Sequence, residues 1–369
     1  MHSHSQFERI KNAERRFPSA PIQNRFGIEF AEEEGLRKGP IDMAMNIKRI
    51  TITGGAGFIG THLAERLCNE AEVVLFDNFR RDSLSALPQL ANHPDVKVVC
   101  GDVLEPASVR AAFEGSDTVV HMAAIAGVSS YYNEPLQTLK VNILGTANVL
   151  EQTVKVGVKN FVQFSTSEVF GPNALWVDEG SSYQIGPVTE RRWTYASSKM
   201  AGEQFTLRYG EQHGMKCSIV RPFNIYGPRQ TGEGAVSNFC RAIVERKPLR
   251  VYGDGSAIRA WCFVSDLVDA VMSILVTPEA AGQAFNIGNP REVETTLGLA
   301  RRIAQLQHGA KIETQAIDRA EVRVRIPNIE RARQILKFEP KVSLYQGLRE
   351  TLAWFQKESN RSLCVNVAS

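Results

Sequence analysis

From Ile47 onward the chain alternates short apolar runs with helically spaced ones. Ile47–Thr53 is β-rich and half apolar, and a glycine cluster ends it. Phe58, Ile59, Leu63 and Leu67 then recur at the spacing of one helix face. Apolar runs at 72–77, 96–100, 118–122, 161–165 and 217–222 predict further buried strands. Helical material is predicted between them, at 104–114 and 135–156. Strands separated by helix-length segments imply βαβ crossovers, hence an α/β fold with a doubly wound parallel sheet. After Pro222 the pattern turns mixed. Helices are predicted over 233–247, 265–276, 295–308, 330–337 and 344–357, with strands over 249–252 and 283–288. The expected organisation is an extension at 1–46, a sheet domain at 47–222, a smaller mixed α/β domain at 223–358 interleaved with the first, and a tail at 359–369.

Composition narrows the classes. Of 369 residues, 43% are hydrophobic and 22% charged, which excludes a mainly disordered or collagen-like chain. The formal net charge is +3, too balanced to argue for nucleic acid or an anionic membrane as partner. No apolar stretch reaches membrane-spanning length. The cysteines are scattered without a C-x-x-C pair, so we expect reduced thiols, a cytoplasmic location and no metal site. The first 46 residues carry seven basic and seven acidic residues and no apolar core, unlike a secretory or transit peptide. They read as a surface extension, or as an arm reaching a partner subunit or the active site. Met43 and Met45 offer a later start, and His2 and His4 could bind metal only by accident.

Gly54, Gly57 and Gly60 form G-x-x-G-x-x-G between a predicted strand and a predicted helix. Such glycines allow a tight turn, and the helix N-terminus faces a pyrophosphate. Asp77 ends the second strand, where a carboxylate can meet an adenosine ribose and would repel a 2′-phosphate. The expected cofactor is therefore NAD, although Arg80 and Arg81 lie close by. Asp102 ends the third strand and is placed either for the adenine edge or as a loop cap. Tyr195 and Lys199 form Y-x-x-x-K, one face of a helix. A neighbouring ammonium is expected to lower the Tyr195 pKa and make it a general base toward a sugar hydroxyl. Ser165-Thr166-Ser167-Glu168 ends the fifth strand, the edge where doubly wound sheets bind ligands. There Thr166 can hydrogen-bond a reacting oxygen, Ser167 adds a polar contact, and Glu168 could act as acid or base. A strand-end turn capped by Ser and Thr is the structural alternative.

These pieces, with His121–Ala124, Val141–Thr146, Arg221–Arg229, Val251–Gly255 and Phe285–Gly288, resemble the extended short-chain dehydrogenase/reductase family. The resemblance is to its nucleotide-sugar epimerase/dehydratase branch and covers about 47–357. It implies a Rossmann domain binding NAD through Gly54, Gly57, Phe58, Ile59, Gly60, Asp77, Asn78, Asp102, Val103, Ala123, Ala124, Asn142, Tyr195 and Lys199. It implies catalysis by Thr166, Tyr195 and Lys199, with Glu168 beside them. Asn224 would contact the substrate diphosphate, and Arg259 and Arg325 the phosphates or an acidic sugar group. It also implies a homodimer joined through helices, for which 104–114 and 135–156 are candidates by position.

The family chemistry begins with oxidation at sugar C4. Thr-Ser-Glu at 166–168 is similar to the motif of nucleotide-sugar uronate decarboxylases and of GDP-mannose 4,6-dehydratases. Arg192-Trp193-x-Tyr195 and Arg325-Ile-Pro-Asn-Ile329 also resemble uronate decarboxylases. Phe170, Arg259-Ala-Trp-Cys-Phe263 and Gly232-Glu-Gly-Ala235 depart from the usual pattern. We therefore expect a nucleotide-diphosphate sugar substrate and decarboxylation of an NDP-uronate of the UDP-glucuronate type. The alternatives are an NDP-sugar 4-epimerase, including UDP-glucose or UDP-glucuronate 4-epimerase, and an NDP-sugar 4,6-dehydratase. A non-catalytic NAD sensor is the reading from another class. Such proteins often lack the Tyr or the Lys, and both are present here.

Overall fold

Seven predicted runs meet in one parallel sheet. The computed structural model describes residues 47–307, 309–316 and 321–367. The extension at 1–46, with Met43, Met45, His2 and His4, lies outside the described residues. In chain order the strands are β1 (Arg49–Thr53), β2 (Glu72–Asp77), β3 (Val96–Cys100), β4 (Thr118–His121), β5 (Asn160–Phe164), β6 (Asn173–Val177), β7 (Lys216–Pro222), β8 (Ile225–Tyr226), β9 (Leu249–Tyr252), β10 (Ile258–Ala260), β11 (Cys262–Phe263), β12 (Ala284–Ile287), β13 (Val293–Thr295), β14 (Ile312–Gln315) and β15 (Val324–Pro327). The large sheet has the order β12-β7-β5-β4-β1-β2-β3, all parallel. The strand order reverses between β1 and β4, which opens a crevice at the carboxyl ends.

Burial explains the strands. Val73, Val74, Leu75 and Phe76 of β2 have almost no exposed surface. Phe76, Phe113, Val149 and Phe161 pack together under the helices Pro106–Phe113 and Thr146–Lys155. Each such side chain contributes roughly 1.5–3 kcal/mol by leaving water. His121 is fully buried on β4, with Nδ1 2.6 Å from Thr53 Oγ1 and Nε2 3.0 Å from Thr146 Oγ1. Burial lowers its pKa to about 3, so it stays neutral and ties β4 to β1 and to the covering helix.

A second sheet has the order β13-β10-β15-β6. The two sheets exchange strands: β6 comes from the first half of the chain, whereas β12 comes from the second half and extends the large sheet. Short strands escaped the periodicity. Two of them, β8 and β11, hold two residues each, too few for an alternation. The helix expected over 135–156 is three pieces, Pro135–Leu139, a wide turn Lys140–Gly145, and Thr146–Lys155. Gly145 lies close against Val103 there; a Cβ would come within 2.7 Å of that side chain.

The helix Thr194–His213 stops at Gly214, whose φ of 66° is left-handed. The last helix, Leu344–Val367, continues through most of the expected tail, since no Gly or Pro follows Gly347 to break it. Among the described residues, no helix is long and apolar enough to cross a membrane. No cluster of metal-ligating side chains is found among them either.

Candidate active site

A cleft of about 1290 Å³ runs along the carboxyl ends of the large sheet and reaches the second sheet. Gly54, Gly57, Asp77, Asp102, Ala123, Thr166, Tyr195, Asn224, Arg259 and Arg325 all line it.

The dinucleotide end is built from backbone. Gly54 has φ 71°, and a Cβ there would lie 2.9 Å from the Ala123 nitrogen. A Cβ on Gly60 would lie 2.6 Å from the Gly54 carbonyl oxygen. The helix Phe58–Leu67 starts with no side-chain cap and no acidic residue in its first turn. Its first N–H groups and positive dipole end therefore suit a pyrophosphate. Asp77 accepts from Ala56 N at 3.0 Å and from Phe79 N at 2.8 Å. A carboxylate has lone pairs left for a ribose after two such bonds. Burial raises its pKa, and the backbone bonds oppose the rise. Asn78 donates to Asp102 at 3.1 Å, and Asp102 accepts from Leu104 N at 2.9 Å. Phe58, Ile59, Val103 and Ala124 also line this end.

Asn142 is different. It is buried away from the cleft lining, and its amide closes a pair of bonds with Ile125 at 2.8 and 3.0 Å and donates to Ser198 at 3.0 Å. It holds the loop after β4 against the Tyr195 helix.

At the sheet end, Thr166 caps the turn Ser167–Phe170 by accepting from Glu168 N at 3.2 Å. Ser167 is buried in that turn. Tyr195 and Lys199 share one face of the helix Thr194–His213, with the ammonium 6.0 Å from the Tyr195 ring centroid. Lys199 donates to the Phe164 carbonyl at 2.7 Å. Burial lowers its pKa to about 8, against the pull of Glu203. The expected depression of Tyr195 is not found. Burial and then Glu168 push Tyr195 up, while its hydrogen bond with Thr166 and the cations Arg81 and Arg325 oppose the rise. The Lys199 ammonium is committed to the Phe164 carbonyl, and a buried phenol resists ionisation.

Glu168 lies between two guanidiniums. Arg192 approaches it at 2.5 and 3.2 Å, and Arg325 at 3.4 Å. Burial alone would raise its pKa, but Arg192 and Arg325 bring it down to about 2. A carboxylate held ionised this way is a fixed charge, a poor fit to the acid-or-base role expected from sequence. Arg192 also donates to Tyr131, whose ring stacks on Tyr195 at 6.0 Å and 6°. Arg259 and Arg325 are register partners on β10 and β15. Arg259 donates to the carbonyls of Ile258 and Val322 at 2.9 and 2.7 Å. Burial, with Arg325 alongside, lowers it to about 9. Asn224 has φ 45° and donates to the Ala260 carbonyl at 2.9 Å.

Sequence reasoning named Arg192 as part of a run but gave it no role. The run Arg192-Trp193-x-Tyr195 was the available signal, since it places a cation one turn before the Tyr. Glu233 was also missed as a site neighbour, and Arg81 was named only beside the expected ribose site. Glu233 accepts from Ser129 N at 2.6 Å and from Ser130 N at 3.0 Å, and Arg81 lies 3.6 Å away.

Comparison with known proteins places the chain beside nucleotide-sugar enzymes. The model of the NAD dependent epimerase/dehydratase family matches residues 50–288. UDP-glucuronic acid decarboxylase 4 of Arabidopsis thaliana is 35% identical over 89% of this chain and 74% of its own. UDP-N-acetyl-alpha-D-glucosaminuronate decarboxylase of Bacillus cytotoxicus is 34% identical over 85% of this chain and 99% of its own. Among solved structures, UDP-glucuronic acid 4-epimerase from Bacillus cereus, in complex with UDP-glucuronic acid and NAD, superposes with a TM-score of 0.78. It is 26% identical and covers 84% of this chain and 99% of that one.

Proposed function

The chain belongs to the NAD dependent epimerase/dehydratase family, and from that premise we propose that it decarboxylates an NDP-uronate of the UDP-glucuronate type. The observation that carries the reading is the charge at the sheet end of the cleft. Three guanidiniums, Arg192, Arg259 and Arg325, surround one carboxylate, Glu168, and leave two positive charges in excess. Buried cations in excess favour an anionic ligand. The decarboxylases similar to this chain act, by name, on two different uronates.

The glycine turn, the uncapped helix start and Asp77 would hold NAD, which supplies a hydride acceptor at C4 and returns the hydride. Tyr195 accepts the proton of the C4 hydroxyl, and Thr166 hydrogen-bonds the same oxygen. Tyr195 takes that proton as the phenolate and becomes the phenol, and the Lys199 ammonium on the same helix face favours that phenolate before the proton is taken. The sugar carboxylate is then β to a ketone. The C5–C6 bond breaks, its electron pair moves into the C4 carbonyl to leave an enolate, carbon dioxide departs, and a proton from solvent at C5 restores the C4 ketone. Arg192 and Arg325 hold the carboxylate before it leaves, and Glu168 keeps both guanidiniums in place. Asn224 and Arg259 face the diphosphate.

A 4-epimerase of an acidic sugar is the second reading. The likeness to the Bacillus cereus epimerase bound to UDP-glucuronic acid favours it, and the same cations would serve it. The presence of both Tyr195 and Lys199 in the cleft weighs against a non-catalytic sensor. We also propose a homodimer through the helical face that exposes Leu136, Leu144 and Phe205.

The test is the product formed from UDP-glucuronate with NAD, read by mass and proton NMR. Loss of carbon dioxide is expected, and Tyr195→Phe should lower turnover by about 100-fold or more. An unchanged mass with an altered H4 coupling would make the enzyme an epimerase.

A further inference from the structure

We propose that Glu203 and Arg221 form a buried positioning pair that sets the Tyr195–Lys199 helix in register with the strand end carrying Thr166. The inference rests on the catalytic reading above and names residues that reading does not use. Glu203 lies one helical turn beyond Lys199, on the face that carries Tyr195. Its side chain is 3% exposed and that of Arg221 is 5%. Arg221 donates to both carboxylate oxygens, Nε at 2.9 Å and Nη2 at 2.7 Å.

Each remaining bond of the pair reaches a different part of the site. Ser165, the residue before Thr166, donates to Glu203. Tyr183, from the loop before the helix, donates to the other oxygen. Arg221 lies on β7, three residues before Asn224, and its guanidinium packs over the rings of Phe170 and Tyr183. One carboxylate therefore joins the β5 end, the catalytic helix, β7 and the 178–186 loop. Buried ion pairs contribute little net stability but specify registry, because a shifted arrangement leaves a buried charge unpaired.

The pair also acts on charge. The groups facing Lys199 are Tyr195 and Glu203 on its own helix, the Phe164 carbonyl of β5 and His121 of β4. His121 is neutral near pH 7, since burial takes it to about 3. Glu203 is the anion that holds the Lys199 proton against burial.

The experiment compares full-length wild type, Glu203→Gln and Ser165→Ala in steady-state turnover across pH. For Glu203→Gln we expect kcat to fall about tenfold, KM to hold within about twofold, and the alkaline limb of the kcat profile to move down by about one pH unit. Ser165→Ala keeps the ion pair and tests registry alone, so it should lower kcat about threefold with no shift of that limb. It also carries the test if Glu203→Gln does not fold. Profiles that superpose on wild type overturn the proposal. A uniform loss of kcat at every pH, in step with a lower Tm, also overturns it by making the pair structural. Tyr195→Phe, run in parallel, separates the two readings. If Tyr195→Phe is active the catalytic reading fails, and if it is inactive while Glu203→Gln is unchanged only the positioning pair fails.

Discussion

Glu168 shows how a residue's role follows from its partners. Alone in this buried turn its carboxyl would protonate readily, but two guanidiniums bring it to about 2. Because the folded pKa lies below the unfolded one, Glu168 stabilises the fold above about pH 4.5 and loses that contribution as pH falls through 2. Glu168→Gln leaves Arg192 and Arg325 without their counter-charge. We expect urea denaturation at pH 7 to show a deficit of about 3 kcal/mol, closing as the pH approaches 2. A deficit that is constant with pH would mean that packing, not charge, is what Glu168 supplies. The sequence showed the Glu and both arginines. It could not show their meeting, because the triad joins the β5 end, the turn before the Tyr195 helix and β15.

Elements were legible where hydrophobic periodicity was long enough. The buried runs of β1 to β5, β7 and β12 gave the large sheet, and the glycine cluster gave the start of the first helix. The second sheet was not legible, because its strands are three to five residues long and follow no apolar alternation, as in β6 with Leu175 and Trp176 both exposed and β15 with Arg325 buried. The wide turn Lys140–Gly145 was hidden for another reason, since its residues are compatible with continuous helix and its form depends on the β4 loop that Asn142 binds. At this scale the glycine turn makes the clearest prediction. A Cβ on Gly60 would press on the Gly54 carbonyl at 2.6 Å, whereas one on Gly57 would stand at 3.2 Å. Gly60→Ala should therefore weaken NAD binding by about tenfold or more in calorimetry, and Gly57→Ala by less. The reverse order would show that phosphate contact, not helix–strand approach, sets the requirement at this turn.

Across the whole molecule, in the proposed reading, the two sheets divide the ligands between them. The large sheet carries the dinucleotide end, and the second sheet brings Arg259 and Arg325 together as register partners from positions 66 residues apart in the chain (325 − 259 = 66). That pairing sets two guanidiniums side by side in the cleft, in the proposed reading Arg259 toward the diphosphate and Arg325 toward the sugar carboxylate, and no local pattern announces it. Two neighbouring guanidiniums repel, and the repulsion contributes to lowering Arg259 to about 9. Like charges kept together against that cost are the mark of a site that trades stability for an anion. Arg259→Ala should then have three effects at once. Affinity for UDP should fall about tenfold, because a charge-assisted contact to a phosphate is lost. Affinity for NAD should hold within about twofold, because its contacts lie on the other sheet. Thermal stability should stay level or rise, because removing Arg259 relieves Arg325. Calorimetry with each ligand, and a melting curve for the variant, read all three. A joint loss of UDP and NAD affinity would mean that the two sheets bind as one unit, and a lower Tm would mean that the carbonyls of Ile258 and Val322 depend on the Arg259 guanidinium for their hydrogen bonds.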